Sequence, residues 1–167
     1  MRAPMLSVRP SKEIDALVEL SSMINSSLDI LEVLNRAMRF VEKVIGTEGS
    51  SIFEMDHTTN QLFFRVLSGH ETHTFREIRM KMGEGVAGWV ARTGEPVIVP
   101  DTEKDTRFSS KIDLITGFKT RSIIALPIRN NGRLTGVLEL VNKRGPTPFN
   151  REDLELSLIH ISEPTRL

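Results

Sequence analysis

The chain has 167 residues and no cysteine, its hydrophobic residues make up 39%, and its 22 basic and 22 acidic side chains cancel. This length accommodates one domain with a sizeable core, and the neutral charge gives no electrostatic reason to expect nucleic acid or an anionic membrane as a partner. The lack of cysteine excludes disulfides, thiolate metal sites and a cysteine nucleophile.

The first residues carry no targeting signal. No apolar run in the chain approaches the roughly 20 residues of a membrane span, and the opening stretch MRAPMLSVRPSKE lacks the apolar core of a signal peptide. We therefore expect a cytoplasmic protein with a flexible leader over residues 1–11.

Helical periodicity begins after this leader. Apolar residues at i, i+3 and i+4 spacing predict a helix over residues 12–27, which could pack on the core or form a parallel signalling and dimer helix. The polar stretch NSSLD at 25–29 supplies N-cap residues for a second helix. That helix runs to about Ile45, where Gly46 is a natural C-cap.

Beyond Gly46 the apolar period becomes that of strands. Short runs rich in β-forming residues predict strands over 50–55, 61–69, 75–82, 96–101, 121–129 and 133–143. Two helical turns are predicted over 86–94, one over 110–115, and a further helix opens at 149–155 before a non-native tail cuts it off. Because tight turns link neighbouring strands, the order predicts an α+β fold with an antiparallel sheet.

Glu139 lies in the strongest predicted strand. The residues on either side of it are leucines that share one face, while Val137 and Val141 share the other face with Glu139. Apolar residues on both faces indicate a central strand, so this carboxylate is desolvated and needs partners or a raised pKa. Two interpretations stay open: a ligand acceptor in a pocket, or a carboxylate satisfied by Thr120, Arg121 or an ordered water.

Gly83, Gly85 and Gly88 form the spacing G-x-G-x-x-G, which in other proteins cradles a dinucleotide pyrophosphate. That motif needs a buried parallel strand before it, a full helix after it and an acid about 20 residues further on. The preceding strand here is amphipathic, the helix is short and Asp101 comes too early. We interpret the glycines as a strand-to-helix corner, and Asp101 as the cap of a following turn.

His70 and His73 have a spacing that could bind a metal from one face of a helix. They lie instead in a predicted connection between strands, with no third ligand nearby. We expect a solvated loop and no metal site.

Three stretches together resemble a GAF domain: GEGVAGWVARTGEPV at 83–97, TGFKTRSIIALPI at 116–128 and GVLELVNK at 136–143. The resemblance covers residues 12–155 and is closest to the regulatory GAF domains of cyclic-nucleotide phosphodiesterases and of related bacterial adenylyl cyclases. It implies a GAF/PAS-like six-stranded antiparallel sheet with helices on both faces. Terminal helices on one face would dimerise, and short helices on the other would close over a small-molecule pocket.

The resemblance also implies which residues meet the ligand, with cAMP or cGMP as the candidate regulatory ligand. Ser51 matches a hydroxyl that contacts a purine, and the amides of Val86 and Ala87 match helix N-terminal groups that meet a cyclic phosphate. The full expected set is Ser51, Leu67, Ser68, Val86, Ala87, Trp89, Phe108, Asp113, Thr116, Thr120 and Glu139.

Several of these positions have a structural alternative or depart from the family. Asp113, Thr116 and Thr120 could equally cap helices and turns, and Trp89 fits a core position. The pair at 67–68 replaces an aromatic and an acid, and Ser109 replaces an aromatic. Such stacking groups contribute about 1–3 kcal/mol per base in nucleic-acid systems, so their replacement weakens the case for a purine.

A second signature, N-K followed by F-x-x-x-D-E, matches at Asn142, Lys143, Phe149 and Asp153, with Leu154 in place of the final acid. In the family the lysine and the aspartate pair and brace the pocket wall without touching ligand. We expect Asn142, Lys143 and Asp153 to support the pocket from behind.

The predicted function is a non-catalytic sensor of a small molecule, acting as a homodimer within a larger signalling protein. The alternative is an interaction module that dimerises without ligand, its pocket collapsed around Phe53, Phe64, Trp89 and Phe108. A free methionine sulfoxide reductase family uses this fold, but that chemistry relies on cysteines, which this chain lacks. No catalytic residue and no resident cofactor are therefore expected.

The last residues resemble a translated sequencing adaptor. The stretch LSLIHISEPTR occupies residues 156–166. We expect residues 156–167 to be a non-native tail, and the native chain to be interrupted near Glu155 before an output domain.

Overall fold

The structure is a computed structural model that describes residues 35–67 and 78–162. The predictions for the leader, for the helix over 12–27, for Ser68 and for the pair His70 and His73 lie outside the described residues. Within the described residues, no helix has both the length and the apolar character to cross a membrane.

Six strands form one antiparallel sheet, as predicted. In chain order they are β1 (Thr47–Asp56), β2 (Gln61–Leu67), β3 (Arg79–Lys81), β4 (Val97–Val99), β5 (Ile123–Asn130) and β6 (Arg133–Lys143). Their order across the sheet is β3-β2-β1-β6-β5-β4, and every neighbouring pair is antiparallel. The two long central strands, β1 and β6, therefore position whatever projects from the middle of the sheet.

Four α-helices accompany the sheet in the described residues: α1 over 35–45, α2 (Gly85–Thr93), α3 (Lys111–Thr116) and α4 (Arg151–Ser162). Gly94 ends α2 in the left-handed conformation, with φ of 71°, as its predicted cap position requires. A 3-10 turn over Thr102–Lys104 is capped by Asp101, whose carboxylate accepts the Glu103 amide at 3.0 Å. The cap predicted for Asp101 is confirmed.

The prediction that the last helix is cut off after Glu155 is wrong. α4 continues to Ser162, through part of the stretch that the sequence assigns to a tail. Within this continuation, Ser157 is fully buried and its hydroxyl donates to the Asp153 carbonyl at 2.7 Å. Leucine and isoleucine in the stretch sustain the helix, whatever its origin.

The two faces of the sheet bury different side chains. Towards α2, Ala125 and Val137 are fully buried in one cluster with Val90 of that helix. On the opposite face Leu138 and Leu140 are buried as well, because alternate residues of a strand point to opposite faces. Each buried valine or leucine among them contributes about 1.5–3 kcal/mol through burial, so the central strands are held from both sides.

The glycine-rich corner between β3 and α2 is a structural turn. The Gly83 amide donates to the Gly88 carbonyl at 2.8 Å, and the Glu84 amide donates to the Lys81 carbonyl at 3.0 Å. A Cβ on Gly88 would lie 2.6 Å from the Lys81 carbonyl oxygen, so only glycine fits there. Because β3 is an antiparallel edge strand, the corner lacks the parallel strand that a dinucleotide loop requires.

Candidate functional site

A cavity of about 280 Å³ lies between the α2-side face of the sheet and the segment that contains α3. We call residues 102–120 the lid. The cavity volume is at the lower end of the roughly 300–1,000 Å³ that is usual for small-molecule sites. Seven residues of the expected ligand-contacting set line it: Ser51, Val86, Phe108, Asp113, Thr116, Thr120 and Glu139.

The apolar part of the lining is aromatic. Phe53 of β1 and Phe64 of β2 lie with their ring centroids 4.5 Å apart and tilted by 32°. Phe108 and Phe118 line the cavity from the lid. These rings line an open cavity, so the collapsed pocket that the ligand-free alternative predicts is not present.

Glu139 extends from β6 into this cavity, between Ser51 of β1 and Ala125 of β5, its partners in the two flanking ladders. It accepts a hydrogen bond from the Ala87 backbone amide at the start of α2. Burial is the largest cause that raises the pKa of Glu139, and the nearby Asp113 carboxylate is the second. The hydrogen bond from Ala87 lowers the pKa, but the net result is a pKa of about 7. The site therefore contains a carboxylate that is poised between its charged and neutral forms at neutral pH.

Two of the partners that the sequence suggested for Glu139, Thr120 and Arg121, bind other carboxylates. Thr120 donates to Asp113 instead, through its amide at 2.7 Å and its hydroxyl at 2.6 Å. Arg121 pairs with Glu48 at 2.5 Å. The partner that replaces them is a backbone amide, which no side-chain pattern identifies.

The lid residues line the cavity and also hold the lid together. The Thr116 hydroxyl donates to the Ile112 carbonyl at 3.0 Å and accepts the Phe118 amide at 3.2 Å. Asp113 links α3 to Thr120 through the two bonds described above. Both interpretations of these residues therefore fit, since capping does not remove them from the cavity wall.

Two further contacts fix the lid at its edges. The Lys111 ammonium donates to the Arg79 carbonyl at 2.8 Å and to the Glu84 carboxylate at 3.3 Å, which ties α3 to β3 and to the glycine corner. At the other edge the buried Thr102 hydroxyl donates to the Thr120 carbonyl at 2.8 Å. The lid is thus tied to β3 and to the glycine corner, and its two ends are joined to each other.

The start of α2 differs from the expected phosphate cradle. Val86 lines the cavity, and the Ala87 amide donates to Glu139. Trp89 does not line the cavity; it packs against the core, and the Arg107 guanidinium lies 4.7 Å from its ring centroid. Leu67 pairs with Ser51 in the β1–β2 ladder, which places its backbone beside the cavity.

Among the residues that the structure describes, the ionisable ones that line the cavity are all acidic: Glu48, Asp113 and Glu139. Glu48 forms an ion pair with Arg121. The side-chain amide of Asn142 donates to Glu48 at 2.9 Å, and this hydrogen bond is the largest cause of the lowered pKa of Glu48. No described residue forms an ion pair with Asp113 or Glu139. The described residues also contain no group of three metal-ligating side chains. The cavity is therefore a negatively charged site.

Asn142, Lys143 and Asp153, which the sequence predicts to support the pocket, make polar contacts with the end of the lid and with α4. Asn142 has a positive φ of 57°, accepts the Arg121 amide at 2.6 Å and donates to the Lys119 carbonyl at 2.8 Å. Lys143 donates to Asp153, which joins β6 to α4. None of the three lines the cavity.

The lining residues that were not singled out from the sequence include Glu48, Met80, Ile112 and Phe118. They come from two strands and two parts of the lid. Only the closed sheet and lid bring them together, so no local spacing could have identified them.

Comparison with known proteins agrees with this architecture. The family profile described as GAF domain matches residues 29–158. The chain is 31% identical over 141 residues to a probable 3',5'-cyclic phosphodiesterase, pde-5, of Caenorhabditis elegans, covering 79% of this chain and 19% of that protein. It is also 31% identical over 157 residues to the dual 3',5'-cyclic-AMP and -GMP phosphodiesterase 11A of Takifugu rubripes, covering 89% of this chain and 17% of that protein.

Among solved structures, the GAF domain of an Acinetobacter phosphoenolpyruvate-protein phosphotransferase is similar, with a TM-score of 0.68 and 20% identity. The match covers 93% of this chain and 91% of that one. At this identity the likeness shows the fold alone. The chain spans less than a fifth of the length of the two phosphodiesterases that it matches.

Proposed function

This chain belongs to the GAF domain family, and we propose that it is the small-molecule-sensing part of a larger cytoplasmic signalling protein. The observation that carries the proposal is the cavity of about 280 Å³ under a closed lid, with polar groups converging on an aromatic lining. The phosphodiesterases that it resembles are several times longer, which fits a sensor that acts on an attached output domain. Its own role is regulatory and not catalytic.

The signal would travel through contacts that already join the lid to the last helix. Asn142 holds the base of the lid through the Lys119 carbonyl and the Arg121 amide. The next residue of β6, Lys143, pairs with Asp153 of α4. A ligand that binds one conformation of the lid more tightly than another would shift the equilibrium of the lid, of Asn142 and of α4 together. The terminal helices of a homodimer would transmit this change to the output domain.

Cyclic nucleotides are the candidate ligands that the names of the relatives supply. The cavity supports this choice weakly, since no basic side chain in the described part of the chain lines it and the Ala87 amide is engaged by Glu139. The aromatic lining would still accept a flat ring. We propose small-molecule sensing as the function and leave cAMP and cGMP as the first compounds to test.

The test is ligand-dependent stabilisation with a blocked cavity as control. Thr116→Phe would place a ring in the cavity, whereas Leu114→Phe makes a similar substitution at a lid position that is 81% exposed. A panel of cAMP, cGMP and small polar metabolites, each at up to about 10 mM, should include compounds that raise the melting temperature of the wild type and of Leu114→Phe, and not that of Thr116→Phe. If no compound does so, or if the blocked variant responds equally, sensing through this cavity is refuted. Light scattering of the same samples tests the homodimer.

A further inference from the structure

The ionisable lining of the cavity points to the charge of the ligand. We propose that the cavity binds a small organic cation, an amine or amidinium group on a flat apolar body, held between Glu139 of the sheet and Asp113 of the lid. This inference rests on the proposed sensing function and specifies its ligand class. It departs from the cyclic nucleotides, which are anions.

The two carboxylates have room for further hydrogen-bond donors. A carboxylate offers about four acceptor positions. Glu139 accepts one hydrogen bond, from the Ala87 amide, and Asp113 accepts two, from the amide and the hydroxyl of Thr120. All of these donors are neutral. No described cationic side chain compensates either charge, so the cavity itself is where a cation would be stabilised.

The charges of the lining oppose an anion at the same place. Asp113 and Glu139 repel each other, and this repulsion adds to burial, the larger cause, in raising the pKa of Glu139. A cation between them would remove that repulsion, whereas a phosphate would add a third negative charge in a partly desolvated cavity. The start of α2, where a phosphate would be stabilised, has its Ala87 amide occupied by Glu139.

The aromatic lining suits the rest of such a ligand. Phe53, Phe64, Phe108 and Phe118 line the cavity, and the faces of aromatic rings attract cations and pack against flat apolar groups. A volume of about 280 Å³ equals that of about nine water molecules in the liquid. The ligand would therefore have on the order of ten non-hydrogen atoms in the cavity.

Benzamidine, benzamide and benzoate form a matched probe series, because they share size and shape and carry a positive, zero and negative charge. Calorimetry at pH 8 should give benzamidine a dissociation constant in the range of about 1–10 mM, tighter than that of benzamide by about tenfold or more. Benzoate should show no binding. Cyclic AMP and cyclic GMP are titrated alongside.

Two variants test whether the carboxylates cause the preference. Glu139→Gln should reduce the preference for benzamidine over benzamide to about threefold or less, and Asp113→Asn should reduce it independently. Glu54→Gln changes a partly exposed acid outside the cavity that pairs with Arg65, so it should leave the preference unchanged. Circular dichroism confirms that each variant is folded.

The pH profile gives a second readout. With the pKa of Glu139 at about 7, the ionised fraction of this carboxyl rises about tenfold from pH 6 to pH 8. The wild-type affinity for benzamidine should therefore rise over this range by up to about tenfold, and that of Glu139→Gln should stay nearly constant. Asp113 of the lid is the titratable group that faces Glu139. The flanking residues Ser51, Ala125 and Ala87 carry no titratable side chain.

The outcomes separate this inference from the proposed function. Binding of a cyclic nucleotide, benzoate or benzamide with equal or higher affinity than benzamidine overturns the cation and leaves sensing intact. A preference for benzamidine that survives both Glu139→Gln and Asp113→Asn also overturns it. If nothing binds in the cavity at about 10 mM, both the inference and the proposed function fail.

Discussion

Replacing Glu139 by glutamine should stabilise the protein at alkaline pH. The amide oxygen of Gln can still accept the hydrogen bond from the Ala87 amide. What the substitution removes is the cost of holding a negative charge in the cavity beside Asp113. The variant thus isolates the charge of the site from its shape.

The size and the sign of the effect follow from the pKa of Glu139, which the fold raises from the ordinary 4.5 to about 7. A difference of this size corresponds to about 3 kcal/mol. Because the folded state holds the proton more tightly than the unfolded state, the contribution of Glu139 to stability is most favourable below about pH 4.5 and is lost as the pH rises to about 7. The glutamine of the variant does not ionise, so its stability does not fall with pH in this way.

Urea unfolding at pH 5 and pH 8 measures the effect, with Trp89, the single tryptophan of the chain, as the fluorescent probe. At pH 8 the free energy of unfolding of Glu139→Gln should exceed that of the wild type by about 3 kcal/mol, and at pH 5 by less than about 1 kcal/mol. The control Glu54→Gln removes a surface ion pair with Arg65 and should change stability by less than about 1 kcal/mol at either pH. Equal stability of Glu139→Gln and the wild type at pH 8, or a gain that is the same at both pH values, would refute the reasoning.

Three further substitutions test the scaffold by urea unfolding at pH 7. Gly88→Ala places a Cβ 2.6 Å from a backbone carbonyl oxygen and should lower the free energy of unfolding by about 1–3 kcal/mol. In the control Gly49→Ala the nearest atom is 3.4 Å away, so the loss should be smaller. Equal losses would contradict the close packing of α2. Asp153→Asn leaves the mostly buried ammonium of Lys143 without its charged partner and should cost about 3–5 kcal/mol; a cost below about 1 kcal/mol would show the pair to be dispensable. Asn142→Ala removes four hydrogen bonds at a residue with φ of 57° and should cost at least about 2 kcal/mol, and a smaller loss would exclude it as the anchor of the lid.

Local signals account for the parts of the fold that the sequence predicts well. The hairpin between β5 and β6 follows from two apolar runs around the turn residues at 130–132, and Gly46 and Gly94 end their helices at the predicted positions. These features depend on neighbours in the chain. The ends of the strands are less well predicted. β1 begins at Thr47, earlier than predicted, because it pairs with β6 there. β5 begins at Ile123, later than predicted, because the Arg121 amide donates to Asn142 instead.

The site is predictable only in part, because its geometry depends on distant contacts. The inward direction of Glu139 follows from alternation along β6, but its partner does not, since Ala87 reaches it only when α2 packs on the sheet. Glu48 is a further example, because its contact with Asn142 forms across the fold. The acidic and aromatic character of the described lining therefore depends on the three-dimensional arrangement and not on any local pattern.

The most direct test of capture beneath the lid is an amide-resolved NMR titration with benzamidine. The amides of Ala87 and Thr120 donate to the two cavity carboxylates, so their signals report directly on Glu139 and Asp113. Binding in the cavity predicts saturable shifts of both signals in the wild type and in Leu114→Phe, and their loss in Thr116→Phe. Unchanged signals for both amides with benzamidine, cAMP and cGMP alike, or shifts confined to residues outside the cavity and lid, would contradict the account.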